Sequence, residues 1–151
     1  MISRFERFSF AISEISRCWH KIATDEMGKY GLKGSHAIYL VVMSRYKEGI
    51  TATQLSEVCG RDKADVSRAM TMMEKNGLVV REGVNQSFYR AHLKLTDAGR
   101  CAAEQVKVRA DVAVTMAGGD LSDKDREIFY DALEHITDKL RSISVDGLPK
   151  K

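Results

Sequence analysis

A chain of 151 residues with 44% hydrophobic content is long enough for one compact domain and too short for two of ordinary size. Charges interrupt its apolar residues, so no run approaches the roughly 18 apolar residues of a membrane span, and the N-terminus is unlike a signal peptide. The three scattered cysteines, Cys18, Cys59 and Cys101, argue against a disulfide framework and lack zinc-type spacing. We therefore expect a cytoplasmic protein with reduced thiols, no metal and no cofactor.

The net charge of +3 is concentrated in the middle of the chain. Residues 61–100 contain eight basic and five acidic side chains, so this segment carries the whole excess. A local excess of positive charge favours a polyanionic partner such as nucleic acid.

The N-terminal segment predicts a long amphipathic helix from about Ser3 to Lys29. Its apolar residues recur every three or four positions in a heptad-like stripe. They are Phe5, Phe8, Ile12, Ile15, Trp19 and Ile22. The glycine-rich segment GKYGLKGS ends this helix, and a second helix is predicted from near Ser35 to a stop at Gly49.

Two short helices follow, and their boundaries are marked by capping residues. Thr51 and Gln54 fit a capping box at the start of the third helix, which Gly60 ends. Asp62 can cap the fourth helix, and Gly77 can adopt the left-handed conformation that closes it. The pattern predicts a helix-turn-helix.

The fourth helix is predicted to bury one side and expose the other. At about 100° per residue, Val66, Met70 and Met73 share the buried side. The opposite side carries Ala64, Arg68, Thr71 and Lys75. An ordinary solvated helix face has the same appearance, so the pattern alone leaves DNA binding and plain exposure open.

Small and hydrogen-bonding residues on that face suit the DNA major groove. Arg68 could bridge O6 and N7 of a guanine, while Ser67 and Thr71 could reach bases or phosphates. Lys63, near the start of the helix, suits a phosphate.

The segments LVVRE and SFYRAHLKL, separated by GVNQ, predict a β-hairpin. A helix-turn-helix followed by a hairpin is a winged helix, whose wing can lie along the DNA backbone or enter the minor groove. Arg81, Arg90 and Lys94 are the predicted phosphate contacts of this wing.

Two further helices are predicted at the C-terminal end. Thr96 caps the fifth helix, which extends to about Met116, and Ser122 opens the last one, which extends to about Ser142. The last helix carries a second apolar stripe of Phe129, Leu133, Ile136, Leu140 and Ile143. Packing within the chain and pairing of two chains would each cover the two stripes, and periodicity leaves both open.

Three short motifs occur in a characteristic order and spacing, namely DKADVSR, MEKNGLV and LTDAGR. With them, nearly the entire chain resembles the MarR family of transcriptional regulators. The resemblance implies a mainly α fold with a small β-hairpin wing, in a single domain of residues 1–147 followed by a tail at 148–151. A winged helix-turn-helix lobe at 33–95 would be flanked by dimerisation helices in 1–32 and 96–147.

The resemblance also implies a function and partners. Members of the family are homodimers that bind double-stranded DNA, usually as repressors, and a small ligand or oxidation often releases them. A twofold dimer would place its recognition helices about one turn of DNA apart, ~34 Å, on a pseudo-palindromic operator.

The wing departs from the family pattern at its tip. The family commonly has an Asp-x-Arg element about ten residues before the Leu-Thr, where this chain has SFYR at residues 87–90. Ser87 stands at the acidic position and Tyr89 at the arginine position, and Arg90 would substitute only after a one-residue slip. This departure supports an alternative function, a winged-helix protein-interaction module with little DNA specificity.

The family also suggests where an effector would act. Its members often bind aromatic anions, for which this chain offers Trp19, Tyr30, Tyr39, Met43 and Tyr46 as lining residues, although such residues are equally typical of a core. Cys18 lies early in the chain, like the reactive cysteine of oxidation-sensing members, and a buried inert thiol is the alternative.

No pattern of residues predicts catalysis. Cys18 and His20 are two apart on a helix and point in different directions, and P-loop, GxGxxG and HExxH motifs do not occur. The four histidines have no i, i+4 spacing for a metal. We expect a binding protein rather than an enzyme.

Overall fold

The computed structural model describes residues 1–83 and 90–150. Within these residues the order of elements is α1 (Arg4–Met27), α2 (Ala37–Met43), β1 (Ile50–Thr51), α3 (Ala52–Cys59), α4 (Lys63–Lys75), β2 (Val79–Glu82), β3 (His92–Leu95), α5 (Asp97–Ala117) and α6 (Asp123–Asp146). Two 3-10 turns, Gly28–Tyr30 and Gly34–His36, separate α1 from α2. Residues 1–110 form one compact unit, and the chain from Asp111 onward forms a second.

The helix-turn-helix is defined by the caps that the sequence predicts. The Thr51 hydroxyl accepts from the Gln54 N–H at 3.2 Å, and Gln54 Oε1 accepts from the Thr51 N–H at 3.0 Å, so the capping box is confirmed. Asp62 accepts from a main-chain N–H in the first turn of α4. Gly60 and Gly77 have φ angles of 60° and 73°. Residues with a side chain rarely adopt such positive φ angles, whereas glycine does so readily.

α2 is shorter than predicted. A helix continuing to Gly49 was expected, but α2 ends at Met43. The N–H groups of Arg45 and Tyr46 bond to carbonyls only three residues back, so the chain after Met43 forms tight turns. The segment SRYKEG offers no apolar side to pack, and the chain must become extended at Ile50 to enter the sheet.

The sheet has three antiparallel strands in the order β1-β3-β2. β2 and β3 are the predicted hairpin strands, with Val79 opposite Leu95. β1 was not predicted, and it pairs Ile50 with Leu93. The predicted wing tip, which includes Ser87 and Tyr89, lies outside the described residues.

The core of the first unit lies between α2, α3, α4, the sheet and the first half of α5. Val66, Met70 and Met73 are fully buried, as predicted for the inner side of α4. Thr96 connects this helix to α5, because its hydroxyl donates to the Gly77 carbonyl at 2.7 Å and accepts from the third residue of α5 at 3.0 Å. The end of α4 and the start of α5 are thereby held together.

Candidate nucleic-acid interface

The outer side of α4 is exposed along its length. Lys63, Ala64, Arg68, Thr71 and Lys75 all face outward, and Ser67 is half-buried on the flank. This distribution follows from the helical repeat, since the fully buried residues occupy the opposite side. The side chain of Arg68 is 70% exposed, so it is the long cation that this face presents at its centre.

The first turn of α4 is anchored to the core through Asp65. The buried Tyr39 hydroxyl donates to Asp65 Oδ2 at 2.5 Å, and Asp65 Oδ1 lies 3.7 Å from the Arg68 guanidinium. Burial, and then the hydrogen bond to Asp65, raise the pKa of Tyr39 well above its ordinary value, so the hydroxyl stays a donor. Asp65 therefore connects the core to Arg68, the single arginine of α4.

A groove of about 570 Å³ runs beside α4, and we call it the α4 groove. Its lining consists of Lys33, Ser35, His36, Asp65, Ser67, Arg68, Thr71, Met72 and Lys75. The Thr71 hydroxyl donates to the Ser67 carbonyl at 2.9 Å, which fixes its rotamer along this wall. Lys33, Ser35 and His36 were not predicted as site residues, because only the fold brings the segment before α2 beside α4.

His36 is the one buried polar or charged residue of the described core, with 5% of its surface exposed. Its Nδ1 atom has no hydrogen-bond partner among the described residues. Burial lowers the pKa of His36, while the nearby Asp65 carboxylate opposes that shift and Lys33 adds to it. The imidazole is therefore mainly neutral at pH 7.

The described cations of the wing differ in their surroundings. Arg81 donates to Glu74 at 2.8 Å, and Lys94 lies 3.1 Å from Glu82. Arg90 is exposed in the turn before β3. Arg81 and Lys94 would have to exchange a carboxylate for a phosphate in order to contact DNA.

Residues 30–86 match the sequence model of the MarR family. Over this segment, which is less than half of the chain, the sequence is similar to the MarR family. The matched segment contains α2, α3, α4 and β2, so it covers the helix-turn-helix and the first strand of the wing. No curated protein matches the sequence.

Solved structures of MarR regulators share the fold. A MarR transcriptional regulator from Methanosarcina mazei Go1 is 22% identical, with 91% of this chain and 99% of that chain covered and a TM-score of 0.79. A putative MarR family regulator from Listeria monocytogenes complexed with 26mer DNA is 21% identical, with coverage of 93% and 95% and a TM-score of 0.77. The Staphylococcus aureus MepR–DNA complex is 19% identical, with coverage of 88% and 97% and a TM-score of 0.78. The predicted winged helix-turn-helix fold class is confirmed.

A second concave site lies on the first unit of this chain, and we call it the Trp19 pocket. It has a volume of about 330 Å³ and is lined by Trp19, Ile22, Ala23, Glu26, Met27, Ala37, Ile38, Val41, Val106, Arg109 and Ala110. Of the five predicted ligand residues, Trp19 lines it, and Tyr30, Tyr39, Met43 and Tyr46 do not. Tyr39 and Met43 are buried in the core instead.

The charged side chains of the Trp19 pocket form an ion pair. Arg109 Nε donates to Glu26 at 3.1 Å, and Lys29 donates to the other oxygen of Glu26 at 2.7 Å. The hydrogen bond from Lys29, together with that from Arg109, lowers the pKa of Glu26, so this carboxylate is ionised at neutral pH.

Cys18 is exposed on α1, so the alternative of a buried thiol is wrong for the isolated chain. Its sulfur lies 3.6 Å from both Arg17 and Glu14.

In the part of the chain that the structure describes, no helix is long and apolar enough to cross a membrane. No three metal-ligating side chains converge within residues 1–83 and 90–150.

Proposed function

We propose that this chain is a homodimeric, sequence-specific DNA-binding regulator of transcription of the MarR family that acts as a repressor. The observation that supports this proposal most strongly is that α4 has one buried and one exposed side. Val66, Met70 and Met73 anchor the buried side in the core, and Arg68 lies at the centre of the exposed side. A helix held in this way can enter the major groove and read base edges. Two of the similar solved structures are DNA complexes, which supports the same use of α4 here.

Within this proposal, each residue of the α4 face has a role. Arg68 bridges O6 and N7 of a guanine, and its weak 3.7 Å contact with Asp65 leaves it able to turn toward a base. Ala64 allows close approach, and Thr71 and Ser67 contact bases or phosphates. Lys63 and Lys75, and in the wing Arg81, Arg90 and Lys94, contact phosphates.

The dimer is supported by apolar surface that the single chain leaves exposed. The heptad-like stripe of α1 is exposed from Phe5 to Ile22, and Phe5 itself is 75% exposed. On α6, the stripe from Phe129 to Ile143 is exposed as well. A contiguous apolar stripe of this length on a terminal helix marks an interaction surface, and a second copy of the chain is the partner of matching pattern.

The effector that lowers DNA affinity is proposed to be a small aromatic anion in the Trp19 pocket. A volume of about 330 Å³ falls at the lower end of small-molecule sites and suits one or two rings. Trp19 supplies an aromatic face, and Arg109 supplies a cation once it leaves Glu26. Because the pocket is lined from α1, α2 and α5, a ligand there can move α2 and the helix-turn-helix packed on it.

The first experiment measures DNA binding by fluorescence anisotropy. The purified protein is titrated into labelled DNA from just upstream of its own gene and into scrambled DNA, at two salt concentrations. We expect preferential, salt-sensitive binding by a dimer, with the oligomeric state determined by light scattering.

Two arginine variants test the role of α4. Arg68→Ala should lose about 1–3 kcal/mol of discrimination in each half-site. Arg141→Ala is the matched control, because Arg141 is equally exposed on α6 and also pairs with an aspartate three residues back. Equal effects of the two variants would contradict a reading role for Arg68.

The alternative is a winged-helix protein-interaction module, and the carboxylate partners of Arg81 and Lys94 favour it. Such a module would bind both DNAs equally weakly or not at all. Its partner binding would change little with salt, because an apolar interface releases few counterions.

A further inference from the structure

The exposed side of α4 carries one line of residues that runs along its centre. Ala64, Arg68, Thr71 and Lys75 recur at helical spacing, and all four are exposed. Thr71 follows Arg68 in this line, in the direction of the end of the helix. At a rise of about 1.5 Å per residue, the two residues lie about 4.5 Å apart along the helix axis. Thr71 can therefore reach a base close to the guanine that Arg68 is proposed to contact.

The hydroxyl group of Thr71 is bonded to its own helix. Thr71 Oγ1 donates to the Ser67 carbonyl oxygen at 2.9 Å, so its single proton is already used. Phosphate oxygens, O6 and N7 of guanine, N7 of adenine and O4 of thymine are all acceptors, and each requires a donor from the protein. The hydroxyl can donate to none of them without breaking the bond to Ser67.

The γ-methyl group is the part of Thr71 that remains for contact with a base. The hydrogen bond holds the oxygen against the helix backbone, whereas the residue as a whole is exposed. In the major groove, thymine is the base that presents a methyl group, and a threonine methyl can contact it. The oxygen keeps its capacity to accept, so an amino group of adenine or cytosine is the competing partner.

We propose that Thr71 makes the protein select a thymine beside the guanine contacted by Arg68, through contact between the Thr71 γ-methyl group and the C5 methyl group of that thymine. The inference rests on the proposed function, since it requires α4 to lie in the major groove. The selected thymine lies within about two base pairs of the guanine, because about 4.5 Å along the helix corresponds to between one and two base-pair steps of about 3.4 Å. Thr71 is thereby assigned to a base rather than to a phosphate.

The first test replaces single thymines of the bound DNA by uracil. Uracil lacks the C5 methyl group and keeps every hydrogen-bonding group of thymine, so the change removes only the proposed contact. The DNA is taken from just upstream of the gene, and its contacted guanine is the one at which 7-deazaguanine weakens binding by the wild type but not by Arg68→Ala. Uracil at one thymine near this guanine should weaken wild-type binding about fourfold, as expected for one methyl group withdrawn from apolar contact. The absence of such a thymine from the site would overturn the inference.

Two variants of Thr71 separate the methyl group from the hydroxyl. Thr71→Ser keeps the hydroxyl and loses the methyl group, so it should bind the thymine and uracil DNAs with equal affinity. Thr71→Val keeps a methyl group and loses the hydroxyl, so it should retain the wild-type preference for thymine. A preference that persists in Thr71→Ser, or one that disappears in Thr71→Val, overturns the inference.

Thr137→Ser is the matched control. The Thr137 hydroxyl donates to the Leu133 carbonyl oxygen at 2.7 Å, which is the same bond to the residue four positions back, at an exposed position of α6. This variant should keep the wild-type preference for thymine. Circular dichroism spectra identical to that of the wild type verify that each variant is folded.

Failure of the inference is distinguishable from failure of the proposed function. Wild-type protein that prefers its upstream DNA to scrambled DNA, with no uracil effect that depends on Thr71, overturns the inference and leaves the proposed function standing. Wild-type protein that binds both DNAs equally, or binds no duplex, refutes both.

Discussion

Replacing Gly99 by alanine should disrupt the junction between the end of α4, the wing and α5. A Cβ atom at Gly99 would lie 2.0 Å from the Leu78 carbonyl oxygen and 3.2 Å from the Leu95 side chain. The nearest atom belongs to the backbone and cannot rotate away. The first turn of α5 would have to move from Leu78 by more than 1 Å to reach an ordinary contact distance.

The cost of this movement follows from what Leu78 bonds. Its carbonyl accepts from the Thr96 N–H at 3.0 Å, so the separation weakens that hydrogen bond. Strain from overpacking and loss of one hydrogen bond together predict a loss of about 2–4 kcal/mol in the free energy of unfolding. For a chain of this size, the melting temperature would fall by about 5–15 °C. β2 begins one residue after Leu78, so the wing should be displaced as well.

The assay is thermal and urea unfolding followed by circular dichroism, at one protein concentration for all variants. Gly28→Ala is the matched control, because Gly28 has a helical φ of −57° and no neighbouring atom within 4 Å of the added methyl group. It should be unchanged or more stable by about 0.4–1 kcal/mol. A Gly99→Ala protein that melts with the wild type would refute the steric argument.

Three further changes test the interior of the lobe. Tyr39→Phe removes the buried hydroxyl that donates to Asp65, and it should lower the free energy of unfolding in urea by about 1.5–3 kcal/mol. The loss should be nearer the lower value because Asp65 is partly exposed to water. A loss near zero would show that this hydrogen bond does not anchor α4. Because burial lowers the pKa of His36, the unfolded chain binds its proton more readily, and wild-type stability should decline as the pH falls below about 6.5. His36→Gln should flatten that decline in urea titrations at several pH values, and an unaltered decline would contradict the role of His36. Thr51→Ala should destabilise the protein by about 1 kcal/mol through loss of the α3 cap, and wild-type stability would rule the cap out as a contributor.

The features predicted correctly from the sequence are those that local chemistry determines. The Thr51 capping box, the Asp62 cap and the positive φ of Gly60 each depend on residues within one turn of one another. The buried side of α4 follows from the helical repeat alone. Such features need no knowledge of what packs against them.

The features that were missed depend on distant partners. β1 is only two residues long and exists because Ile50 meets Leu93, far along the chain. His36 and Lys33 carry no local signal of a site, and they lie beside α4 only through the packing of the first unit. Tyr39 was predicted as a ligand residue because aromatic type alone does not distinguish a pocket wall from a core residue that hydrogen-bonds to Asp65.

The electrostatic environment of each cation indicates an order of importance in DNA binding. Arg81 is half-buried and bonded to Glu74 at 2.8 Å, so a phosphate must replace an existing charge-assisted hydrogen bond and gains little net energy. Arg68 is far more exposed and lies 3.7 Å from Asp65, a contact of the kind that contributes little in water. We therefore expect Arg81→Ala to weaken operator binding less than Arg68→Ala does in the same anisotropy assay. A larger loss of affinity in Arg81→Ala than in Arg68→Ala would show that the wing contributes more binding energy than α4. That result would contradict the proposal that the protein reads DNA mainly through α4.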